Sequence, residues 1–305
     1  MRLQWIKWIV IISLQFLFVK VGNSQVQENQ IVSVKGENIY KNTLLACEKL
    51  ELGKAIKPGM RVGILVNSDF EVKGAYVNPD ITLAVIKICV DAGANEVVAL
   101  QNIKPEYWER SSLFAQHSEA LKKVRCVEAN TFPSVFDSVN FVKLDTVPGA
   151  LHLKNIEVVK EVFDVDFFIN ISIAKHHAST ILTNAMKNMM GLGTRNFGVT
   201  FHLNGPQRND PEFLATCIAE LNLIRKPDFI VSDVTEVITT NGPNGPGELI
   251  KPMIIVAGKD VVAVDVYCAK VIGFDPEKIP TISKGFELGL GEKDLNGFKL
   301  LELQQ

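Results

Sequence analysis

The chain has 305 residues, 47% of them hydrophobic and 22% charged. That is enough apolar material for one large core or two medium ones, and it excludes an intrinsically disordered chain. With 32 Lys and Arg against 34 Asp and Glu the formal charge is −2, which argues against a nucleic-acid-binding surface.

Residues 1–24 have the layout of a secretory leader: Arg2 and Lys7, an apolar run from Trp8 to Val19, then the small residues Gly22 and Ser24 before Gln25. The run is too short for a membrane span. The expectation is a signal peptide over 1–24 and a mature protein beginning near Gln25, with no stable membrane span, exported to the periplasm or the extracellular space. An uncleaved N-terminal anchor is the alternative. Loss of Arg2, Lys7 and Lys20 makes the mature chain more acidic than the whole.

Residues 25 to 40 are polar and are expected to be ordered only in part. Pro58-Gly59 precede an apolar strand, Arg61 to Val66. Asn78 as N-cap, Pro79 at the first turn and Gly93 as the stop then predict a helix from Asp80 to Ala92, followed by a strand from Glu96 to Leu100. Strand, helix, strand at this spacing implies a right-handed βαβ unit and a parallel sheet. A second helix is expected over Ser111–Val124 and a strand over Val139–Leu144. The following VPGALHLKN segment marks the boundary between an N-terminal lobe, 25–150, and a C-terminal lobe, 151–305, unless both form one continuous domain.

Beyond it come strands Asp166–Ile173, Asp228–Ser232 and Met253–Ala257, with helices Glu212–Ile224 and Val261–Ile272. The near-continuous apolar strands VDFFINISI and PDFIVSD fit positions covered on both faces. The fold class is therefore α/β: two lobes built on mainly parallel sheets with flanking helices. Cys47, Cys89, Cys126, Cys217 and Cys268 are scattered without a C-x-x-C pair. They read as buried small hydrophobes, with no intrinsic iron–sulfur or zinc spacing.

Chemistry concentrates between Phe167 and Gly191, read as a buried strand that delivers a Lys-His-His tip to a polar-faced helix. At about 100° per residue, Ile181, Leu182, Ala185, Met186, Met189 and Met190 fall on one arc. Thr180, Thr183, Asn184, Lys187, Asn188 and Gly191 fall on the other. Hydroxyls, amides and one cation suit the orientation of a ligand, the alternative being a solvent face with helix caps. In open parallel sheets ligands bind beyond the carboxyl ends of the strands. Asn67, Asp69, Lys175 to His177 and Asp233 are thus expected on one rim.

Lys175, His176, His177, Lys187, Arg195 and His202 form a dense group of cations in an acidic chain, which suits a small anionic ligand, a carboxylate or a phosphate. His177 is the candidate general acid/base, Lys187 the anion anchor or cofactor attachment, and Arg195 the clamp. Asp233 with His202 is the candidate proton relay or metal pair. The glycines of VSDVTEVITTNGPNGPGEL, residues 231–249, reflect either close approach to a ligand or an ordinary long turn. Asp265 lies in a helix that is apolar on nearly every side and needs a partner: a backbone hydrogen bond, Lys175, Lys187 or a divalent metal. His202 and Asp265 are the candidate metal ligands.

These segments, KHHASTILTNAMKNMMGL with the later Arg195 and His202, VSDVTEVITTNGPNGPGEL and AGKDVVAVDVYCAKVIGFDPEKI, resemble the family called domain of unknown function 362. Its K-x-H and T-G-x-x-K-N-x-x-G core is matched by Lys175, His177, Thr183, Lys187, Asn188 and Gly191, with Asn184 at the usual Gly. Asn67 lies where the family carries an Asn after its first strand. The family often stands beside ferredoxin-type modules, which implies an iron–sulfur protein as a candidate partner. A more distant similarity, in the order His177, Lys187, His202, is to the nickel-pincer lactate racemase family. It implies racemase- or isomerase-like chemistry at a hydroxy acid. The functional expectation is an exported enzyme that acts on a small anion by acid/base or metal-assisted chemistry, with cofactors unknown. A non-catalytic anion-binding protein and an accessory protein to an iron–sulfur partner are the alternatives.

Overall fold

The computed structural model describes residues 29–126 and 136–305; the expected leader lies outside the described residues. In chain order the strands are β1 (Gln30–Lys35), β2 (Arg61–Val66), β3 (Glu96–Ala99), β4 (Val124–Cys126), β5 (Phe141–Thr146), β6 (Lys154–Val159) and β7 (Phe167–Ile173). There follow β8 (Lys175–His177), β9 (Ile181–Thr183), β10 (Phe229–Val234), β11 (Val237–Ile238), β12 (Leu249–Ile250), β13 (Ile254–Gly258) and β14 (Lys299–Gln304). Eight of them form one sheet in the order β14-β1-β13-β10-β7-β2-β3-β4. Within it β13 runs against its neighbours β1 and β10, and every other pairing is parallel.

The α/β class and the mainly parallel sheet are as expected. Strand β1 from the N-terminal half lies between β13 and β14, so both halves contribute strands to one sheet, as in the continuous arrangement left open above. The segment expected to separate the lobes instead joins β5 to β6, an antiparallel hairpin outside that sheet. Residues 30–35, expected to be loosely ordered, form β1, because Ile31, Val32 and Val34 each bury almost all of their surface.

The best-marked helix forms as its caps dictate. Pro79–Asp91 begins where the Asn78 side chain accepts the Asp80 N–H at 3.0 Å, and Gly93 ends it at φ +88°, where a side chain would be strained. The helix expected over Ser111–Val124 is broken into a 3-10 turn, Phe114–His117, one α turn, Ser118–Leu121, and β4. Ser111 explains the break. Its hydroxyl donates to Asp80 and accepts the Leu113 N–H, and local bonds of this kind compete with a helix start. Central strands β7 and β10 are covered on both faces, as their apolar runs imply. Among the described residues no helix is long and apolar enough to cross a membrane.

At the amino ends of the parallel strands the charges close on one another. Arg61 bridges Glu96 at 3.3 Å and Glu161 at 2.7 Å, and Arg125 bridges the same two carboxylates at 2.7 and 2.9 Å. Asp166 accepts the Arg61 N–H at 2.8 Å. Cys47, Cys89, Cys217 and Cys268 are buried free thiols; burial pushes each thiol above its usual range.

Candidate functional site

The segment expected to be a long polar-faced helix is a β-hairpin followed by a single helical turn. Strand β8 pairs antiparallel with β9, Lys175 facing Thr183 and His177 facing Ile181. The short α turn Ala185–Asn188 and the 3-10 turn Met189–Leu192 come after it. The polar residues that helical spacing placed toward a ligand are turned into the core. Thr180, Thr183, Asn184 and Asn188 are all buried.

Each of the two asparagines finds partners on neighbouring strands. Asn184 Oδ1 accepts from the hydroxyls of Ser172 at 2.8 Å and Ser232 at 2.6 Å. Asn188 Nδ2 donates to Asn170 Oδ1 at 2.7 Å and to the carbonyls of Leu65 and Ile171. Asn170 Nδ2 in turn donates to the Ala185 carbonyl at 2.8 Å. The carboxylate of Asp265 accepts the N–H groups of Ala185 at 2.9 Å and Met186 at 3.3 Å. A connected network of buried polar groups thus outweighs the helical periodicity of the segment.

The C-terminal rim of β2, β7 and β10 gathers the expected residues. Asn67 continues β2, its N–H donating to Ile171 and its carbonyl accepting from Val77. Its buried Oδ1 has no hydrogen-bond partner. Lys175 is fully buried. Its Nζ donates to the carbonyls of Ala75 and of Pro243, the latter at 3.0 Å, and lies 3.4 Å from the centre of the Phe70 ring. Burial and the nearby Lys187 push its pKa down to about 6, whereas two carbonyls and an aromatic face favour the ammonium.

His177 is 4% exposed, and its Nδ1 accepts the N–H groups of Ser179 and Thr180, each at 3.2 Å. The ring caps the hairpin turn, and burial with the charges of Lys187, His202 and Lys175 pushes its pKa down to about 2. A histidine so held is neutral, with its proton on Nε2. Its Nε2–H is then a donor and its Nδ1 is not free to act as the general base expected of it. Lys187 keeps part of its surface exposed; burial brings its pKa down to about 8. His202, in the last turn of the helix Arg195–Leu203, is half-buried. Its pKa is lowered by burial and by Lys187.

The remaining candidates do other things. Asp233 accepts the Asn78 N–H at 2.7 Å and both the N–H and the hydroxyl of Thr235 at 2.8 and 2.6 Å. It locks two turns on the rim, while burial raises its pKa to about 6. Arg195 opens its helix with an exposed side chain. Asp265, a candidate metal ligand with His202, accepts two backbone amides beneath the hairpin, and burial raises its pKa to about 8. Among the described residues no three His, Cys, Asp or Glu side chains converge into a metal-sized cluster. The glycines of residues 231–249 serve chain packing. A Cβ at Gly242 would overlap the His176 carbonyl, and one at Gly247 the Thr240 carbonyl.

Reading the sequence missed Asn209, whose Oδ1 lies 3.0 Å from His202 Nδ1, and the strand partners Asn170, Ser172 and Ser232. Asn170 and Ser172 were visible as polar residues inside an otherwise apolar run. A concavity of about 380 Å³ lies away from this rim, among the helices Ile39–Lys49, Leu52–Ala55 and Pro79–Asp91. Its mouth carries Glu48, Glu51 and Asp91 with Lys54, a poor match to an anion.

A thylakoid-associated protein of Synechocystis sp. is 23% identical over 248 residues, 78% of this chain and 71% of that protein. Among solved structures, the lactate racemase apoprotein of Thermoanaerobacterium thermosaccharolyticum superposes with a TM-score of 0.46 at 12% identity, over 76% of this chain. A Thermotoga maritima protein does so with a TM-score of 0.44 at 12% identity, over 83% of this chain. The chain spans 54% and 60% of the length of those two structures. Residues 55–270 match the model described as Domain of unknown function (DUF362), and the chain belongs to that family.

Proposed function

We propose that the C-terminal rim binds a small oxyanion, a carboxylate or phosphate, held by Lys187 and the Nε2–H of His177, with His202 beside them and Lys175 behind. One observation carries this reading. Four basic side chains lie within electrostatic reach of one another, each made less basic by burial, and Lys175, His177 and His202 also by the charge of Lys187. None of the four forms an ion pair with a carboxylate among the described residues. A basic cluster left uncompensated in a chain of net negative charge is stabilised by an anion that enters it.

An enzyme needs a proton acceptor beside that anion, and a binding protein does not. His177 does not supply one, because its Nδ1 is committed to two amides; His202 is the remaining imidazole. The reading retains export, carried by the leader-like residues 1–24 and tested by N-terminal sequencing of purified envelope protein. Recovery of Met1 would refute cleavage.

The site is tested by calorimetric titration of small carboxylates and inorganic phosphate into the wild type, Lys187→Met and His177→Asn. Asparagine keeps an acceptor near the Nδ1 position and deletes the Nε2–H. Affinity should fall at least about tenfold in Lys187→Met, the loss of one charge-assisted hydrogen bond. Unchanged affinity in both variants sinks the site. Unfolding of both in the absence of any anion assigns the two residues to structure alone.

A further inference from the structure

The two imidazoles beside Lys187 are held through the same ring atom by opposite partners. His177 Nδ1 faces two N–H groups, those of Ser179 and Thr180, each at 3.2 Å, and the Thr180 hydroxyl at 3.1 Å, which can donate to it as well. It therefore carries no proton, and the neutral ring keeps its hydrogen on Nε2. His202 Nδ1 faces an oxygen, the Oδ1 of Asn209 at 3.0 Å. An amide oxygen only accepts, so this Nδ1 carries the hydrogen and Nε2 is left as a bare lone pair. Asn209 is well placed for the task. Its own N–H donates to the His202 carbonyl at 2.8 Å, and its φ of +59° is one that asparagine tolerates. The same face of the hairpin that carries Lys175 and His177 also carries Thr183. Its hydroxyl is nine-tenths buried and has no hydrogen-bond partner, so it can donate or accept.

Building on the reading that this cluster holds an anion, we infer that it selects oxyanions that bring their own hydrogen. It offers an ammonium, one imidazole N–H donor and one imidazole nitrogen acceptor, a set that fits monohydrogen phosphate. A cluster of donors alone accepts any dianion of the right size. One bare nitrogen changes this, because a fully deprotonated anion such as sulfate sets an oxygen against that lone pair. Neither atom then has a hydrogen to share, and two acceptors are set against each other at a half-buried nitrogen. Phosphate that still holds one hydrogen donates it to His202 Nε2 and accepts from Lys187 and His177. Asn209 is a positioning residue in this scheme: it acts on the ligand through the tautomer of His202.

The test compares inorganic phosphate with sulfate on the full-length protein, in mildly alkaline buffer where phosphate is a dianion with one hydrogen and matches sulfate in charge. Calorimetry should show phosphate binding at least about tenfold more tightly, the factor for one hydrogen bond replaced by a repulsive contact. Long-range proton–nitrogen NMR of the five histidines, assigned by single substitutions, should report His177 with its hydrogen on Nε2 and His202 with its hydrogen on Nδ1. Asn209→Gly keeps the positive φ and removes the amide oxygen. In that variant the His202 hydrogen should move to Nε2, and the preference should shrink toward unity while sulfate still binds.

A His202 that carries its hydrogen on Nε2 in the wild type overturns the inference, as do equal affinities for the two anions. So does a preference that survives Asn209→Gly. Failure of both anions to bind overturns instead the underlying reading of the cluster as an anion site. A normal NMR spectrum of each variant separates loss of recognition from loss of fold.

Discussion

The two rims of the sheet are built from similar residues and arranged in opposite ways. At the amino ends of the strands Arg61, Arg125, Glu96 and Glu161 form a closed ring in which every charge meets two of opposite sign. The arginines hold Glu96 below its usual carboxylate range. At the carboxyl ends Lys175, His177, Lys187 and His202 form no ion pair with a carboxylate among the described residues, and all four are pushed down from their ordinary values, burial being the first cause for each. A ring of paired charges contributes to the stability of the resting protein. Basic groups buried without a partner cost stability instead, and that uncompensated burial is the ground on which an anion site is proposed.

The contrast can be broken first from below. Asp265→Ala removes the acceptor of the Ala185 and Met186 N–H groups and leaves two buried donors unsatisfied. The expected loss is about 2–4 kcal/mol in urea denaturation. A loss under about 1 kcal/mol would mean that the turn carrying Lys187 does not depend on the network beneath it.

The next test uses pH. The folded-state pKa of His177 is pushed down to about 2, below the value of about 6.5 in an unfolded chain. The unfolded state therefore takes up the proton first, and stability is lost as pH falls below about 6.5, at up to about 1.4 kcal/mol per unit. Above that pH the group contributes no slope. Between pH of about 6.5 and 5 the wild type should lose about 2 kcal/mol more than His177→Asn, which has no ring to titrate. Parallel curves for the two proteins would place His177 in a solvated setting.

Smaller effects distinguish the rims directly. Glu96→Gln should cost about 1 kcal/mol, and the cost should shrink in high salt, because its partners are partly exposed. Lys187→Met, on the opposite rim, should change stability by less than about 0.5 kcal/mol, since no paired charge is left behind. If the second substitution proves more harmful than the first, the assignment of one rim to stability and the other to recognition is reversed.

Much of the scaffold was legible because it is written locally. Asn78, Pro79 and Gly93 delimit one helix by their caps, and the apolar runs of β2, β7 and β10 declare buried parallel strands. Lys175, His177, Lys187 and His202 were legible as a cation-rich stretch in an acidic chain. The local conformation of residues 178–191 was not. Its spacing satisfies a helix, and the groups that override it, Ser172, Ser232, Asn170 and Asp265, come from three other elements. The same reason hid the role of Asn209, which only the turn after the helix brings to His202. Strand β1 was missed because Gln30–Lys35 is short, and what gives it order is its two neighbours, β13 and β14, distant in sequence.

The buried ammonium of Lys175 has a consequence for how this rim can change over evolutionary time. One nitrogen holds the carbonyl of Ala75 in the loop after β2 and that of Pro243 in the loop after β11, and it sits on the ring of Phe70. Neither loop can alter its path alone without stranding the cation. Among relatives that keep a lysine at this position, the lengths of the two loops should vary together. Where the lysine is replaced by an apolar residue, that correlation should dissolve, and an alignment deep enough to contain both groups would show it.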